Sequence, residues 1–430
     1  MPQTMAGPVP RLADYGIDEA TGFLSNPPPL RRLPAYFEPW EQVLDDLHQL
    51  LVAGALRTRV RKLPMMDTSR LGPKPEWHRA FMVLSFIAHS HIIGIPKVDT
   101  VEPIIPEVIA RPWFAIAKKL ELKPVISYAA VELANWFLLD PEGPLDLSNI
   151  AIQHTFSGVF DEAWFYLIPL GMEAVGAPSI KAMVDAQEAI LRDDESAVAA
   201  ALHIVTDCID KMCVMLKRMY EKNDPHIFWS RIRNYSGGSK NNANLPNGLF
   251  FEGVTEIDAD VNQCVPPPKG LVGTWRCYAG ASAGQSPLIH SLDVGLGVHH
   301  ASMPQKSSDS PATKAPAVNP MLEMREYLSA EQRAFFKALG EAPSIREYVS
   351  SLSSTSAAQI EFNNAIRALK SFRDIHIQIT TVYIILQQKK EAASTGAMSP
   401  KGTVGTGGTD LVPFLRQTRQ ETIDALVKST

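Results

Sequence analysis

The sequence contains few cysteines, and none of them follow a pattern typical of a disulfide-rich or zinc-binding domain. The 430 residues include four cysteines, and no two of them stand in CxxC spacing: Cys208, Cys213, Cys264 and Cys277. Four cysteines in so long a chain do not make a disulfide framework. This excludes a small disulfide-stabilised secreted scaffold and indicates a reducing compartment.

The sequence also lacks an excess of basic residues. Its formal net charge is -5, with 41 lysines and arginines against 46 aspartates and glutamates. A mildly acidic chain gives no electrostatic reason to expect a nucleic acid or an anionic membrane surface as a partner. We therefore expect neither kind of partner.

We also expect no segment that directs the chain to or through a membrane. The N-terminal stretch MPQTMAGPVPRLADYGI has no apolar core of the kind found in signal peptides. The longest apolar stretch, AWFYLIPLGMEAVGA, has about 15 residues and includes Pro169 and Glu173, so it predicts a buried helix rather than a membrane span. We expect a cytoplasmic protein.

Apolar residues recur at helical spacing over most of the chain. Between Glu195 and Lys222 they form one stripe at steps of three and four: Leu202, Val205, Ile209, Met212, Leu216 and Met219. Such a methionine-rich stripe predicts core packing rather than a cofactor site. Similar patterns cover 40–62, 77–93, 105–139, 157–193, 321–340, 355–390 and 411–427. Without strand–helix alternation, the sequence predicts a mainly α fold.

A segment rich in turn-forming residues, LDPEGPLDLSN at 139–149, indicates a domain boundary. We expect a smaller, mostly helical N-terminal domain over residues 1–150 and a large all-helical domain over residues 151–430. A Gly/Ser/Thr-rich loop at 391–409 separates the helix predicted at 355–390 from the last helix. Long loops in a compact domain often belong to a binding site, so this loop could close over a ligand.

The stretch SFRDIHIQITTVYI at 371–384 places a histidine, His376, in an apolar helix. At a period of 3.6 its face also holds Phe372, Ile379, Thr380 and Tyr383. A buried histidine needs a partner for each ring nitrogen. The spacing leaves two interpretations open, a core histidine bonded to a carbonyl group or a ligand to a metal or cofactor iron.

Residues 280–284, GASAG, match the G-x-S-x-G pattern of a nucleophile elbow centred on Ser282. That elbow needs a preceding strand, a following helix and a doubly wound sheet. LVGTWRCY at 271–278 is compatible with the strand, but no such sheet is predicted. A serine hydrolase that uses Ser282 therefore remains a minor alternative. A turn of small residues would also let backbone atoms and a serine hydroxyl approach a flat ligand closely.

Two further patterns, GTGGT and the pair His299–His300, indicate structural features rather than binding sites. GTGGT at 405–409 lacks the Gly-Lys-Ser/Thr ending of a phosphate-binding loop, and we expect Thr409 to cap the last helix with Asp410 in its first turn. The pair His299–His300 is interpreted as the charged end of a helix rather than a metal site.

The stretch PHIFWSRIRNYSGG at 225–238 combines aromatic and basic residues on one short predicted helix. Arg233 lies one turn plus one residue beyond Phe228, so an apolar ring and a cation point roughly the same way. A pocket for an aromatic amino acid needs a ring to stack on and a guanidinium group to hold a carboxylate. A surface arginine beside core aromatic residues is the alternative.

Taken together, these segments resemble the indoleamine 2,3-dioxygenase family, haem enzymes that open the indole ring of tryptophan. The similarity begins with YGIDEATGFL, continues through IARPWFAIAKKLELKPVISYAAVELANW (109–136) and FWSRIR, and ends at GTGGTDLVPFLRQTR. The long loops resemble those of fungal members more than mammalian ones. The resemblance implies conversion of L-tryptophan to N-formylkynurenine, the first step of the kynurenine pathway.

The resemblance also implies the ligands and the residues that hold the cofactor. We expect haem b with its iron, L-tryptophan or a related indoleamine, O2, an electron donor that keeps the iron ferrous, and a monomeric protein. The residues implied for the cofactor are His376 as proximal iron ligand, Arg373 and Asp293 as a charged pair near the haem propionates, and Gly280. The second nitrogen of His376 would then be held by a hydrogen-bond acceptor.

The substrate site implied by the resemblance has no residue acting as acid or base, because haem iron and O2 perform the chemistry. Its distal side is expected to be apolar and without a catalytic histidine. The implied substrate-binding residues comprise a stacking ring, a carboxylate-binding arginine, the indole wall, a small-residue turn and a loop threonine: Phe228, Arg233, Tyr128, Val131, Phe165, Tyr166, Ser282, Ala283 and Thr406.

Two positions depart from the family pattern. Pro169 stands where the mammalian enzymes have a distal serine, and Glu132 stands beside Val131 where an apolar residue is expected. A carboxylate facing an indole pocket is costly when it is left unpaired. These departures support an alternative in which the protein binds haem with little turnover and acts as a sensor or interaction protein.

Overall fold

The structure is a computed structural model, and it describes residues 7–303, 317–395, 403 and 405–428. It is 57% helical with 5% strand, which confirms the mainly α fold. Two large hydrophobic cores hold the helices together.

Within the described residues the N-terminal part contains five α-helices, of which the fourth is central. These are α1 Glu38–Asp45, α2 Leu47–Val52, α3 Leu56–Arg61, α4 Lys74–Ile93 and α5 Glu107–Lys119. Every residue of α4 from Arg79 to Ile92 is buried. A helix that is covered on all sides forms the middle of a core, and the other helices pack around it.

The C-terminal part contains the three longest helices together with several shorter ones. They are α6 Phe160–Leu191, α7 Glu195–Lys217, α8 Met219–Lys222, α9 Pro225–Ile227, α10 Pro287–Gly295, α11 Pro320–Arg325, α12 Ala330–Glu341, α13 Ile345–Ser351, α14 Ala357–Thr380, α15 Leu386–Thr395 and α16 Leu411–Ile423. Helix α7 packs between α6 and α14. Its predicted methionine-rich stripe is buried at every position, so the core interpretation of that stripe is confirmed.

Short strands connect distant parts of the chain. They are β1 Ile104–Ile105, β2 Trp136–Leu138, β3 Ile150–Ile152, β4 Leu249–Glu252 and β5 Gly273–Arg276. Central strand β4 pairs in parallel with β1 and antiparallel with β5, so that Phe250 lies opposite both Ile104 and Trp275. Strands β2 and β3 form an antiparallel pair.

The prediction of a helical pattern over 105–139 is wrong at residues 120–127, which form a loop, and at its C-terminal end. Residues 136–138 form β2 because they pair with β3 across the loop at 139–149. The run WFLL is short and apolar, and periodicity does not distinguish a buried helix from a strand over such a length. A pairing partner twelve residues later decided the conformation.

The first core surrounds α4 and α5, and it also takes in Tyr235, Phe251 and Tyr278 from beyond residue 150. The second core lies between α6, α7 and α14. The division into domains 1–150 and 151–430 stays a prediction, but the β1–β4 pairing attaches the segment after α9 to the N-terminal core.

Helix α6 runs without interruption through Pro169 and Pro178. By length and composition it would be able to cross a membrane, although no such stretch was expected from the sequence. In the structure 67% of its most apolar window is buried inside the protein. Its apolar character is explained by contacts with the second core and with the cavity described below.

Three helical regions contain π-helical turns within the described residues, at Ala129–Leu133, Phe228–Ile232 and Thr381–Ile385. A π turn closes i to i+5 hydrogen bonds, which shifts the face that the following side chains present. The last helix also begins one residue later than expected, since its N-cap is Asp410 rather than Thr409.

Candidate functional site

A deep cavity lies where the two cores meet. Side chains from α6, α7, α10, α14 and α16 line it, together with the loop at 405–409. All three π-helical turns also contribute, through Val131, Phe228 and Tyr383 among others. Most of the lining is apolar. The cavity therefore joins parts of the chain that are far apart in sequence.

One wall of the cavity is formed by α14 and centres on His376. The imidazole is partly exposed to the cavity, and in the described part of the chain neither ring nitrogen has a hydrogen-bond partner. Burial and, to a lesser extent, the nearby Arg373 lower the pKa of His376 to about 4, so the ring is neutral at neutral pH. A neutral imidazole with an available nitrogen has the form required of a metal ligand.

The core-histidine interpretation required a carbonyl group bonded to this ring, and no described residue supplies one. The acceptor expected for the second ring nitrogen is likewise not found among the described residues. Within the same residues no group of three His, Cys, Asp or Glu side chains could hold a metal ion. A haem iron takes a single imidazole from the protein on its proximal side, so the exposed ring of His376 fits that group.

Arg373 lies one turn before His376 and is locked in place by buried partners. Its Nη2 donates to both carboxylate oxygens of Asp293, at 2.6 and 2.8 Å. Its Nη1 donates to the carbonyl oxygen of Thr418 at 2.7 Å and to the hydroxyl of Thr422. Arg373 lines the cavity, whereas Asp293 lies behind it. The structure thus brings the predicted charged pair together next to His376.

The charged cluster extends further than the sequence indicated. Nε2 of His300 lies 3.0 Å from Asp293, and its Nδ1 lies 2.6 Å from Glu421 on α16. Burial raises the pKa of Asp293, but the Arg373 guanidinium and His300 outweigh that effect and bring it to about 2. Burial lowers the pKa of His300, and its two carboxylate partners reverse this to a net increase.

The expectation that His299–His300 forms the charged end of a helix is therefore wrong. Helix α10 already ends at Gly295, and His300 is a buried member of an ion-pair cluster. Its partner Glu421 lies 121 residues further along the chain. No spacing rule connects residues at that separation, so the sequence contained no signal for this contact.

The aromatic wall of the cavity is formed where α9 continues into a π-helical turn. The ring of Phe228 lies 4.8 Å from that of Phe165 and 5.7 Å from that of Tyr383, measured between centroids. Because this turn closes i to i+5, Arg233 follows Phe228 by one turn, and both line the cavity. The predicted combination of a ring and a cation on one face is present.

Arg233 is held in an environment of low polarity. Its guanidinium carbon lies 5.1 Å from the centroid of the Trp229 ring. Burial lowers the pKa of Arg233 to about 10, which leaves the group charged at neutral pH. A charged group in a poorly solvated site favours an anionic ligand, because attraction is strong where water is scarce.

Phe165 and Tyr166 do not both line the cavity. Phe165 does, but Tyr166 is fully buried in the first core and donates its hydroxyl to Glu162 at 3.0 Å. Neighbours on an α-helix point about 100° apart, so they seldom face the same cavity. Tyr166, which the resemblance places in the indole wall, therefore does not line the cavity.

The wall next to Phe165 carries polar groups, and the contacts of Glu173 with two of them were not predicted. Tyr128 and Val131 line the cavity as expected, and so does Glu132. The hydroxyl of Tyr128 donates to Glu173 on α6 at 2.9 Å, and that of Ser286 donates to the same carboxylate at 2.6 Å. Pro169 also lines the cavity. The two departures from the family pattern therefore both face this space.

A turn of small residues covers another part of the cavity. Ser282, Ala283 and Gly284 line it, and Thr406 lines it beside them. Gly280 does not line the cavity. Its N–H donates to the carbonyl oxygen of Thr406 at 3.0 Å, and an added Cβ would lie 2.1 Å from the carbonyl oxygen of Ser236. Gly280 is therefore required by close backbone packing beside the site rather than by ligand contact.

The geometry around Ser282 does not match a hydrolase. Its hydroxyl accepts the N–H of Gly284 at 3.2 Å, and the next histidine along the chain, His290, bonds the carbonyl oxygen of Gly284 at 2.9 Å and Arg325 at 3.3 Å. Strand β5 precedes the turn, but it belongs to a small mixed sheet of three strands. A nucleophile elbow requires a doubly wound sheet and a serine–histidine hydrogen bond.

Comparison with known proteins identifies relatives along almost the whole chain. The family model described as indoleamine 2,3-dioxygenase matches residues 11–425. The chain is 33% identical over 423 residues to indoleamine 2,3-dioxygenase nanC of Aspergillus nanangensis, which covers 96% of this chain and 97% of that protein.

Animal and yeast proteins are similar to the same extent. Indoleamine 2,3-dioxygenase 1 of Mus musculus is 33% identical over 419 residues, which covers 97% of this chain and 96% of that protein. The indoleamine 2,3-dioxygenase of Saccharomyces cerevisiae is 32% identical over 456 residues, covering 98% and 95%. The chain therefore belongs to the indoleamine 2,3-dioxygenase family, a family of oxidoreductases.

Proposed function

We propose that the protein is a haem-dependent dioxygenase that inserts O2 across the indole C2–C3 bond of L-tryptophan and releases N-formylkynurenine. Family membership supports the reaction class. The observation that carries the proposal is the placement of His376: a neutral imidazole without a described partner faces a cavity whose other wall presents Phe228 and Arg233.

The cofactor would be held from the α14 side of the cavity. His376 would provide the proximal ligand, and Arg373, fixed by Asp293, would face the acidic groups of the haem from one turn earlier. When bound, the haem supplies the ferrous iron at which oxygen is activated, with an external electron donor keeping it reduced. The remaining tasks fall to the protein.

Those tasks are binding, orientation and exclusion of water. Phe228 and Phe165 offer ring faces to an indole, and the charged Arg233 attracts the amino-acid carboxylate. The small-residue turn at 282–284 and Thr406 cover the space from the other side. Holding a substrate in one orientation in a cavity of low polarity lowers the barrier without a general acid or base.

The test is spectroscopic. The haem-reconstituted protein is reduced, mixed with L-tryptophan and O2, and followed by absorbance over time. We expect a haem Soret band and then growth of the N-formylkynurenine absorption. His376→Ala should abolish the proximal-ligand signature in the spectrum, whereas His203→Ala, an exposed histidine on α7, should leave it unchanged. A wild-type protein that binds no haem would refute the proposal.

The departures from the family pattern on the cavity wall favour a second candidate function. Glu132 and Pro169 face the cavity at the positions that depart from the family pattern. A protein that binds haem and tryptophan without forming product would act as a sensor or interaction protein instead. The same experiment separates the two functions, because a stable Soret band without product growth supports only the second.

A further inference from the structure

Glu132 is a buried carboxyl group on the wall of the cavity. It lies in the π-helical turn Ala129–Leu133, is 5% exposed and contributes to the lining. Neither carboxyl oxygen of Glu132 forms a hydrogen bond with a residue that the structure describes, and of the two only Oε2 is fully enclosed. Native proteins pair nearly all buried polar groups, so an exception needs an explanation.

Two other buried carboxylates show how this protein ordinarily treats such groups. Glu41 accepts two hydrogen bonds from Arg79, at 2.6 and 3.0 Å. Glu162 accepts two backbone N–H groups at 2.7 Å each, as well as two hydroxyl groups. The absence of such donors around Glu132, at a position that faces a ligand-sized space, indicates a partner that arrives with the ligand.

The hydroxyl groups beside Glu132 are already engaged, and although Oε2 of Glu173 also has no hydrogen-bond partner among the described residues, Glu173 does not line the cavity. The hydroxyls of Tyr128 and Ser286 both donate to Oε1 of Glu173. Burial raises the pKa of Glu132 well above its usual range, and the neighbouring Glu173 raises it further. Both effects favour the protonated form of the Glu132 carboxyl group, which offers a ligand one donor and one acceptor.

We propose that Glu132 determines which indoles the site accepts, by forming a hydrogen bond with a donor on the ring system of the substrate. Two ring groups have this chemistry, the indole N–H and a hydroxyl group on the benzene ring. The inference rests on the proposed function, because that function is what brings an indole to this wall. The surrounding apolar side chains, such as Val131 and Met172, contact the ligand but do not distinguish ligands by their hydrogen-bond donors.

A ring that lacks the matching donor leaves the carboxyl group buried and unpaired in the complex. Sites built to hydrogen-bond a substrate group reject analogues without that group more strongly than apolar pockets reject a size change. We expect the wild-type protein to discriminate by at least about tenfold between a ring with the donor and one without it.

The experiment compares three ligands on the haem-loaded protein. Dissociation constants are measured by calorimetry, and kcat/KM in parallel, for L-tryptophan, its derivative methylated on the indole nitrogen, and 5-hydroxy-L-tryptophan. The variants are Glu132→Met, which removes the polar group at similar length, and Glu132→Gln, which keeps an acceptor. Met172→Leu is the matched control, since it changes an apolar residue of the same cavity.

The comparisons of L-tryptophan with its N-methylated and its 5-hydroxylated derivatives identify which ring group of the ligand donates to Glu132. If it is the indole N–H, the penalty for N-methylation falls from about tenfold or more to below about twofold in Glu132→Met. If it is the hydroxyl group, the preference for 5-hydroxytryptophan over tryptophan falls in the same way. Ratios in Glu132→Met that match those of the wild type and of Met172→Leu would overturn the proposal, and a bound water would then be the partner of Glu132.

A second measurement applies even if Glu132→Met does not fold. Infrared difference spectra on ligand binding should show a shift of a protonated carboxyl C=O band, which disappears in Glu132→Gln and remains in Glu173→Gln. Binding of tryptophan without such a band shift overturns the role of Glu132 only. Failure of the wild-type protein to bind any of the three indoles overturns the proposed function as well.

Discussion

Replacing Glu173 with glutamine should change how the stability of the protein depends on pH. Glu173 is 2% exposed on α6. Burial raises its pKa from its ordinary value of 4.5 to about 7, although Ser286 and Tyr128 donate hydrogen bonds that lower it. The folded protein therefore holds this proton more tightly than the unfolded chain does.

The direction and size of the change in stability follow from the coupling between proton binding at Glu173 and folding. The stabilising contribution of protonated Glu173 is fully present below pH 4.5 and is lost as the pH rises through about 7. At about 1.4 kcal/mol per pH unit, this interval corresponds to roughly 3 kcal/mol. Glutamine has the same shape and accepts the same two hydrogen bonds, but it does not ionise, so Glu173→Gln removes this loss.

The assay is urea unfolding followed by circular dichroism at pH 5 and at pH 8. We expect the free energy of unfolding of Glu173→Gln, relative to that of the wild type, to increase by roughly 3 kcal/mol from pH 5 to pH 8. Glu188→Gln is the matched control, because Glu188 is exposed on the same helix. A difference between wild type and Glu173→Gln that is equal at both pH values would refute the reasoning, since Glu173 would then titrate as in the unfolded chain.

Further substitutions test other contacts of the site. Arg233→Lys should raise the KM for tryptophan without loss of the Soret band, because lysine keeps the charge but lacks the planar fork; an unchanged KM would contradict the carboxylate role. Asp293→Asn should lower the free energy of unfolding by about 3–5 kcal/mol by leaving Arg373 buried beside a neutral group, as measured in urea. Ser282→Ala should leave any trace esterase activity unchanged, and a loss would revive the hydrolase alternative.

Local sequence patterns are sufficient to predict the long helices and several features of the site. The stripe along α7 follows from apolar residues at steps of three and four, and water exclusion alone selects the buried face. His376 was conspicuous because a titratable ring on an apolar helix face needs a partner. The sequence predicts that Phe228 and Arg233 face the same way because both lie on one short segment.

The contacts that local patterns did not predict involve distant partners or irregular turns. The strand at Trp136 exists because β3 lies beside it. The environment of His300 depends on Glu421, and that of Glu132 depends on Glu173 on another helix. No rule of spacing along the chain reports which of many polar residues will meet after folding.

The sequence by itself determined the helical fold class, the buried faces of its long helices and the composition of the aromatic and basic wall. Tertiary structure decided that Phe165 rather than Tyr166 faces the cavity, that Gly280 serves backbone packing, and that Glu132 faces the cavity. The physical reason is that helical periodicity is a property of neighbouring residues. Cavity walls, ion-pair clusters and unpaired carboxyl groups arise only when separate segments come together and exclude water.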